Sequence, residues 1–299
     1  MGCNLIKICS IVSILLPSVK KNSCNDNLID YNVQPEERFL TPMRSKTMSI
    51  LSSIEKPQDR PVIATITGDA GLGKTSLAAT FPKPIFIRAE DGLQAIPLAS
   101  RPDALPLLTS VDQLWEQLTA LVKEEHDYQT LVIDSVTQLD TLFSNHIVDT
   151  DPKKPKSIAQ ALGGYGAGFQ ALSAYHGRVR KAAGLLNERK GMHIVFIAHA
   201  ETETIELPDA DPYTRYNIRM QKKSVSHYID NVDLVGFLKL ETFTQGDGER
   251  KKAFSDGTRL LVTYATAANI SKNRFGITED LTVINGENPL VNFIPTLGA

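Results

Sequence analysis

The residues best equipped for chemistry lie in one short run, Gly68, Asp69, Ala70, Gly71, Leu72, Gly73, Lys74, Thr75 and Ser76, which satisfies G-x-x-x-x-G-K-[ST]. Glycines at this spacing let successive backbone N–H groups turn inward around phosphate oxygens. Lys74 can then bridge the β- and γ-phosphates of a nucleotide, and the Thr75 hydroxyl can ligate Mg²⁺. All nine residues are expected to form a cradle for ATP, with Mg²⁺ as its companion ion. The flanks fit this use. Residues 61–67, PVIATIT, form the apolar, β-branched run of a buried strand, and SLAAT supplies a helix that Pro82 ends.

A phosphate cradle does not name a reaction, so acids that could face it matter next. Residues 130–139, TLVIDSVTQL, read as a buried strand ending in Asp134. That aspartate is expected at the carboxyl end of a parallel strand beside the loop, holding the hydration shell of Mg²⁺. Ser135 follows it instead of a glutamate, so the general base must come from elsewhere. The strand after the P-loop helix, in KPIFIRAEDGL at residues 83–93, closes on Glu90, which brings a second carboxylate toward the same sheet edge.

These segments resemble the RecA-like ATPases. FIRAE, residues 86–90, is similar to the FIDAE-type strand that supplies their water-activating glutamate, which implies that role for Glu90. GMHIVFIAHAE, residues 191–201, resembles their FINQ-type strand end and sets His199 where a glutamine senses the γ-phosphate. Imidazole can also donate to a phosphate oxygen. Near the C-terminus, RLLVTYATAANISKNRFGI at residues 259–277 looks like the hairpin of replicative-helicase and RadA-type members. The resemblance implies that Lys272 and Arg274 reach a neighbouring subunit's nucleotide, a task suited to the planar guanidinium fork. The sequel ITEDLTV departs from the Pro/Gly-rich continuation more usual there. The whole pattern resembles a bacteriophage or prophage AAA-type nucleotide-binding protein with a RecA-like core, a class associated with single-strand annealing and recombination.

The elements that must position these residues form a β/α alternation, which points to an α/β fold with a mostly parallel central sheet flanked by helices. The resemblance adds an antiparallel C-terminal hairpin. Residues 111–125 place Val111, Leu114, Trp115, Leu118, Leu121 and Val122 on one helical face, so Trp115 reads as a packing residue. Residues 231–243 continue the sheet, and QGDGERK at 245–251 is a hairpin-turn signal. Two stretches, 151–170 and 200–223, read as long irregular connections rich in Lys, Arg and Tyr. In RecA-like recombinases such loops contact single-stranded DNA, and basic with aromatic residues can track phosphates and stack bases.

The chain has 299 residues, 42% of them hydrophobic, and a formal net charge of −2, which excludes collagen-like and wholly disordered classes and any broad basic field. No apolar run approaches the roughly 18–20 residues of a membrane helix. Cys3, Cys9 and Cys24 all precede residue 25, so a disulfide scaffold is not expected for the body and a cytoplasmic setting, in a bacterium or phage-infected cell, fits better. Residues 1–47, with a nine-residue apolar run at 8–16 but no small-x-small cleavage site, are expected to be a disordered or mis-assigned extension, with export the minor alternative. Residues 48–299 are expected to be the RecA-like ATPase domain. The implied function is an ATPase acting on single-stranded DNA as a homo-oligomeric ring or filament. A replicative-helicase-like motor, a nucleotide-gated adaptor with little turnover and a small-molecule kinase are the alternatives.

Overall fold

The computed structural model describes residues 50–208, 210–245 and 252–298. The expectations for residues 1–47 and the three cysteines therefore fall outside the described residues. The elements run β1 (Ile63–Gly68), α1 (Lys74–Ala78), β2 (Pro84–Arg88), β3 (Asp103–Ala104), α2 (Val111–Lys123), β4 (Thr130–Asp134), α3 (Val136–Thr150), α4 (Ala167–Lys190), β5 (His193–Leu207) and β6 (Ala210–Ile218). They continue with α5 (Lys222–Ile229), β7 (Leu234–Leu240), β8 (Phe243–Gln245), β9 (Lys252–Phe254), β10 (Arg259–Val262), β11 (Lys272–Asn273) and β12 (Leu281–Thr282).

The main sheet has the order β12-β10-β7-β1-β5-β4-β2-β3, parallel from β7 through β3. Both faces of β1 and β4 are buried, which is why these strands read as unbroken apolar runs. One face packs on α2 to α5 through residues such as Leu114, Trp115, Phe143, Leu186 and Tyr228. The other packs on α1 and the C-terminal segment through Leu77, Phe81, Leu281, Leu290 and Ile294. Trp115 is buried and stacks on Phe143 and Tyr175, with centroids 6.2 and 6.3 Å away, so it is a packing residue as expected. No helix among the described residues is long and apolar enough to cross a membrane.

Three points sharpen or correct the sequence reading. First, β5 lies between β1 and β4, so Asp134 reaches the P-loop across an intervening strand. Second, the antiparallel C-terminal strands are present, but β10 and β11 each pair with β7 instead of with one another. Third, residues 200–218 are not an irregular connection: β5 runs on past the main sheet and pairs with β6 as a long antiparallel arm, from Ala200↔Ile218 to Leu207↔Ala210. The expected turn at 246–251 lies outside the described residues, while its flanks, β8 and β9, pair antiparallel.

Candidate active site

Parallel strands deliver their carboxyl ends to one edge, and this is where the chemistry converges. β1 ends at Gly68, whose register partner on β5 is His199. Asp134 ends β4, in register with Arg88 of β2 and Ile197 of β5. Just beyond β2, the backbone N–H groups of Ala89 and Glu90 both donate to the Asp134 carbonyl, at 2.7 and 3.2 Å, which pins Glu90 beside the aspartate. A single cavity of about 570 Å³ is lined by Gly71 through Ser76, Glu90, Asp134 and His199.

The loop takes its shape from its glycines, Gly68, Gly71 and Gly73, all at positive φ. Gly73 caps α1 with φ of 87°, a left-handed conformation that costs other residues about 1–2 kcal/mol. At Gly68 an added Cβ would collide with the Leu238 carbonyl of β7. Lys74 is buried, and its ammonium donates to the carbonyls of Gly68 (2.9 Å) and Asp69 (2.7 Å). Burial lowers its pKa, while Asp134 and Glu90 act in the opposite direction.

The Thr75 hydroxyl donates to Asp134 Oδ2 at 2.7 Å. Asp134 is only 2% exposed, and burial pushes its carboxyl up to about 6. A buried carboxylate in contact with the P-loop hydroxyl, in a cavity that also holds Lys74, is a donor set that fits Mg²⁺. That ion is commonly held by one or two carboxylates with substrate phosphates completing its shell.

Glu90 Oε1 accepts from His199 Nε2 at 2.9 Å. This hydrogen bond holds the Glu90 carboxyl below its ordinary range, against burial that pushes it up. His199 is fixed in turn by its backbone, since its N–H donates to Thr137 Oγ1 (2.9 Å) and its carbonyl accepts from the Arg219 N–H (2.8 Å). The structure thus brings together Lys74, Thr75, Asp134, Glu90 and His199.

Lys272 and Arg274 lie elsewhere. Lys272 pairs with Val235 and Asn273 with Leu234, at the start of β7, whereas Gly68 pairs with Leu238 near its other end. Lys272 donates to the Asp230 carbonyl (2.7 Å), and burial together with Arg274 lowers its pKa. Arg274 shares the buried Asp233 with Arg60, at 3.0 and 2.6 Å. Neither reaches the phosphate loop of its own chain.

The sequence assigned neither of two arginines near the cradle to it. Arg219, in the 200–223 stretch read above as a candidate DNA contact, sits at the root of the β5–β6 arm and is near enough to contribute to the lowering of Lys74. Arg259, at the start of β10, lines the cavity itself. Of the other candidate DNA contacts on the arm, Arg215 pairs with Glu203 (2.8 Å) and Tyr216 stacks on Phe237. In the 151–166 loop, Tyr165 is fully exposed.

The fold and site define a P-loop nucleotide-binding protein of the α/β class. A family model for the AAA domain matches residues 60–275, and the chain belongs to that family, AAA_24, one of P-loop ATPases. The SPbeta prophage-derived protein YorG of Bacillus subtilis (strain 168) is 23% identical over 216 residues, 71% of this chain and 59% of YorG. The chain therefore spans about three-fifths of that relative's length. The crystal structure of the RadB recombinase superposes with a TM-score of 0.41 and 12% identity over 76% of this chain and 90% of that one, too loose a match to add to the strand order above.

Proposed function

We propose that the protein binds and hydrolyses ATP in this cavity and couples the nucleotide state to single-stranded DNA, in phage-type recombination or annealing, as a cytoplasmic homo-oligomer built on residues 48–299. The observation that carries the reading is the convergence of Lys74, Thr75, Asp134, Glu90 and His199 on one cavity at the sheet edge. Thr75 and Asp134 would hold Mg²⁺, which supplies charge neutralisation on the β- and γ-phosphates. Lys74 exchanges its two loop carbonyls for phosphate oxygens and stabilises charge developing in transfer. Glu90 orients the attacking water and accepts its proton, being kept ionised by His199. His199 is held by that same carboxylate, and leaving it for a phosphate oxygen would free Glu90 for water, so low basal turnover is expected.

DNA enters through the arm. β5 carries His199 and then continues unbroken into the β5–β6 hairpin, so a ligand on the arm acts on the strand that positions the Glu90 partner. Exposed Tyr165 with Lys153, Lys154 and Lys156 offers a second contact, suited to stacking and phosphate tracking. Lys272 and Arg274, remote from their own phosphate loop, would serve a neighbouring subunit. The prophage derivation of YorG supports the phage setting.

The test is ATP hydrolysis with and without single-stranded DNA, for wild type and Lys74→Ala. Low basal turnover, stimulated by DNA and lost in the variant, is expected. Hydrolysis indifferent to DNA, together with no salt-dependent DNA binding, would remove the recombination reading and leave the nucleotide site standing.

A further inference from the structure

Arg259, the first residue of the 259–277 segment but given no role by it, touches the phosphate loop. Its guanidinium donates through Nη1 to the Leu72 carbonyl (3.3 Å) and through Nη2 to the Val283 carbonyl (3.3 Å) and Asn285 Oδ1 (2.7 Å). It lies so close to the loop that a Cβ added at Gly73 would fall on Nη1. It lines the same cavity as Lys74, Thr75, Glu90 and Asp134. A guanidinium carries five N–H donors in a planar fork, and these three contacts leave donors uncommitted on a group already at the cavity wall.

The partner Asn285 gives the contact a direction. A second cavity, of about 580 Å³, is lined by Ser76, Ala95, Ile96, Asn285 and Gly286 among others, and shares Ser76 and Ala95 with the first. Arg259 therefore stands where the phosphate loop meets the C-terminal segment 283–286, and that segment walls the adjoining space. A cation seated there can bind phosphate oxygens on the Gly71–Gly73 side of the cradle while holding the C-terminal segment against the rest of the ligand.

We infer that Arg259 is a nucleotide-binding residue: it ligates the polyphosphate in cis and, through Asn285, ties ligand binding to the position of segment 283–286. The inference rests on the reading of the cavity as a nucleotide site. A charge-assisted fork contact of this kind changes affinity about 10- to 100-fold.

The test is calorimetric binding of ADP and of inorganic tripolyphosphate, with Mg²⁺, to the full chain and to Arg259→Ala, Arg259→Gln, Asn285→Ala and Lys74→Ala. Arg259→Ala is expected to weaken both ligands about 10- to 100-fold. Arg259→Gln keeps a polar amide but is two bonds shorter and uncharged, so in a protein that remains folded tripolyphosphate binding should fall about tenfold or more. Asn285→Ala should weaken ADP and spare tripolyphosphate. Wild-type affinity for tripolyphosphate in a folded Arg259→Gln protein overturns the inference, whatever the alanine variant does. So does a fall in ligand-free melting with unchanged affinities, which would make Arg259 a strut only. Tight tripolyphosphate binding by Lys74→Ala would instead remove the nucleotide-site reading beneath it.

Discussion

Replacing Asp134 by asparagine should make the ligand-free protein more stable and the enzyme inactive. The carboxyl is 2% exposed, and burial raises it to about 6 from an ordinary 3.8. Below pH 3.8 the group is protonated in folded and unfolded chains alike, and its burial carries no ionisation penalty. Between 3.8 and 6 the unfolded chain releases its proton and the folded chain keeps it, so stability falls as pH rises. Above pH 6 the full penalty applies, about 3 kcal/mol at 1.36 kcal/mol per pH unit. Roughly half is already present at pH 5, and about 1.4 kcal/mol more accrues by pH 8. Asparagine does not titrate and can still accept the Thr75 hydroxyl, so Asp134→Asn escapes this loss.

Urea denaturation in EDTA without nucleotide, at pH 5 and pH 8, reads the difference directly. The variant's advantage should be larger at pH 8 by about 1.4 kcal/mol. Adding Mg²⁺ and ADP should reverse the order. Ligand at about 1,000 times its dissociation constant stabilises wild type by about 4.1 kcal/mol, more than the penalty of about 3 kcal/mol, with little effect on a variant that lacks the metal-binding carboxylate. An equal gap at both pH values, or a variant less stable at pH 8, would refute the reasoning that burial of an ionised Asp134 opposes folding.

Three further outcomes are expected. His199→Ala should move the acid limb of the turnover–pH profile to higher pH, because the hydrogen bond that depresses Glu90 is lost and burial then raises it; an unmoved acid limb means the pair does not set the base. Gly73→Ala should lower the urea midpoint, corresponding to a loss of unfolding free energy of about 1–3 kcal/mol for a non-glycine residue held in the left-handed region, and weaken ADP binding, since the new Cβ meets Arg259. An unchanged midpoint and affinity would contradict this. Lys74→Ala and Arg274→Ala should each be inactive alone, yet mixed equally and reassembled should recover about a quarter of wild-type turnover, because a head-to-tail interface lets one variant complete the other's site. No recovery would confine Arg274 to its ion pair with Asp233.

Much of the site could be read from sequence because each part is local. The nine-residue loop carries its own glycines and lysine, and β1, β2 and β4 announce themselves as apolar runs ending at Gly68, before Glu90 and at Asp134. The amphipathic α2 was equally plain, since one face is apolar. The β5–β6 arm was not, because ETETIEL alternates charged with β-branched residues over partly exposed faces and leaves no apolar stripe to count. The Glu90–His199 hydrogen bond spans 109 residues and the Arg259–Leu72 bond spans 187, so no local spacing encodes either. The same holds for Asp233, whose carboxylate joins Arg60, Arg274 and the Ile63 N–H at the far end of the sheet.

Steady-state phosphate release from Mg·ATP, measured on wild type beside Glu90→Gln with ADP affinity determined on the same preparations, tests the site most directly. The expected result is turnover reduced about 10²- to 10⁴-fold in the variant with nucleotide affinity retained, as befits loss of a general base alone. Wild-type turnover in Glu90→Gln, or nucleotide affinity lost in step with turnover, would contradict the assignment of Glu90 as the residue that activates water.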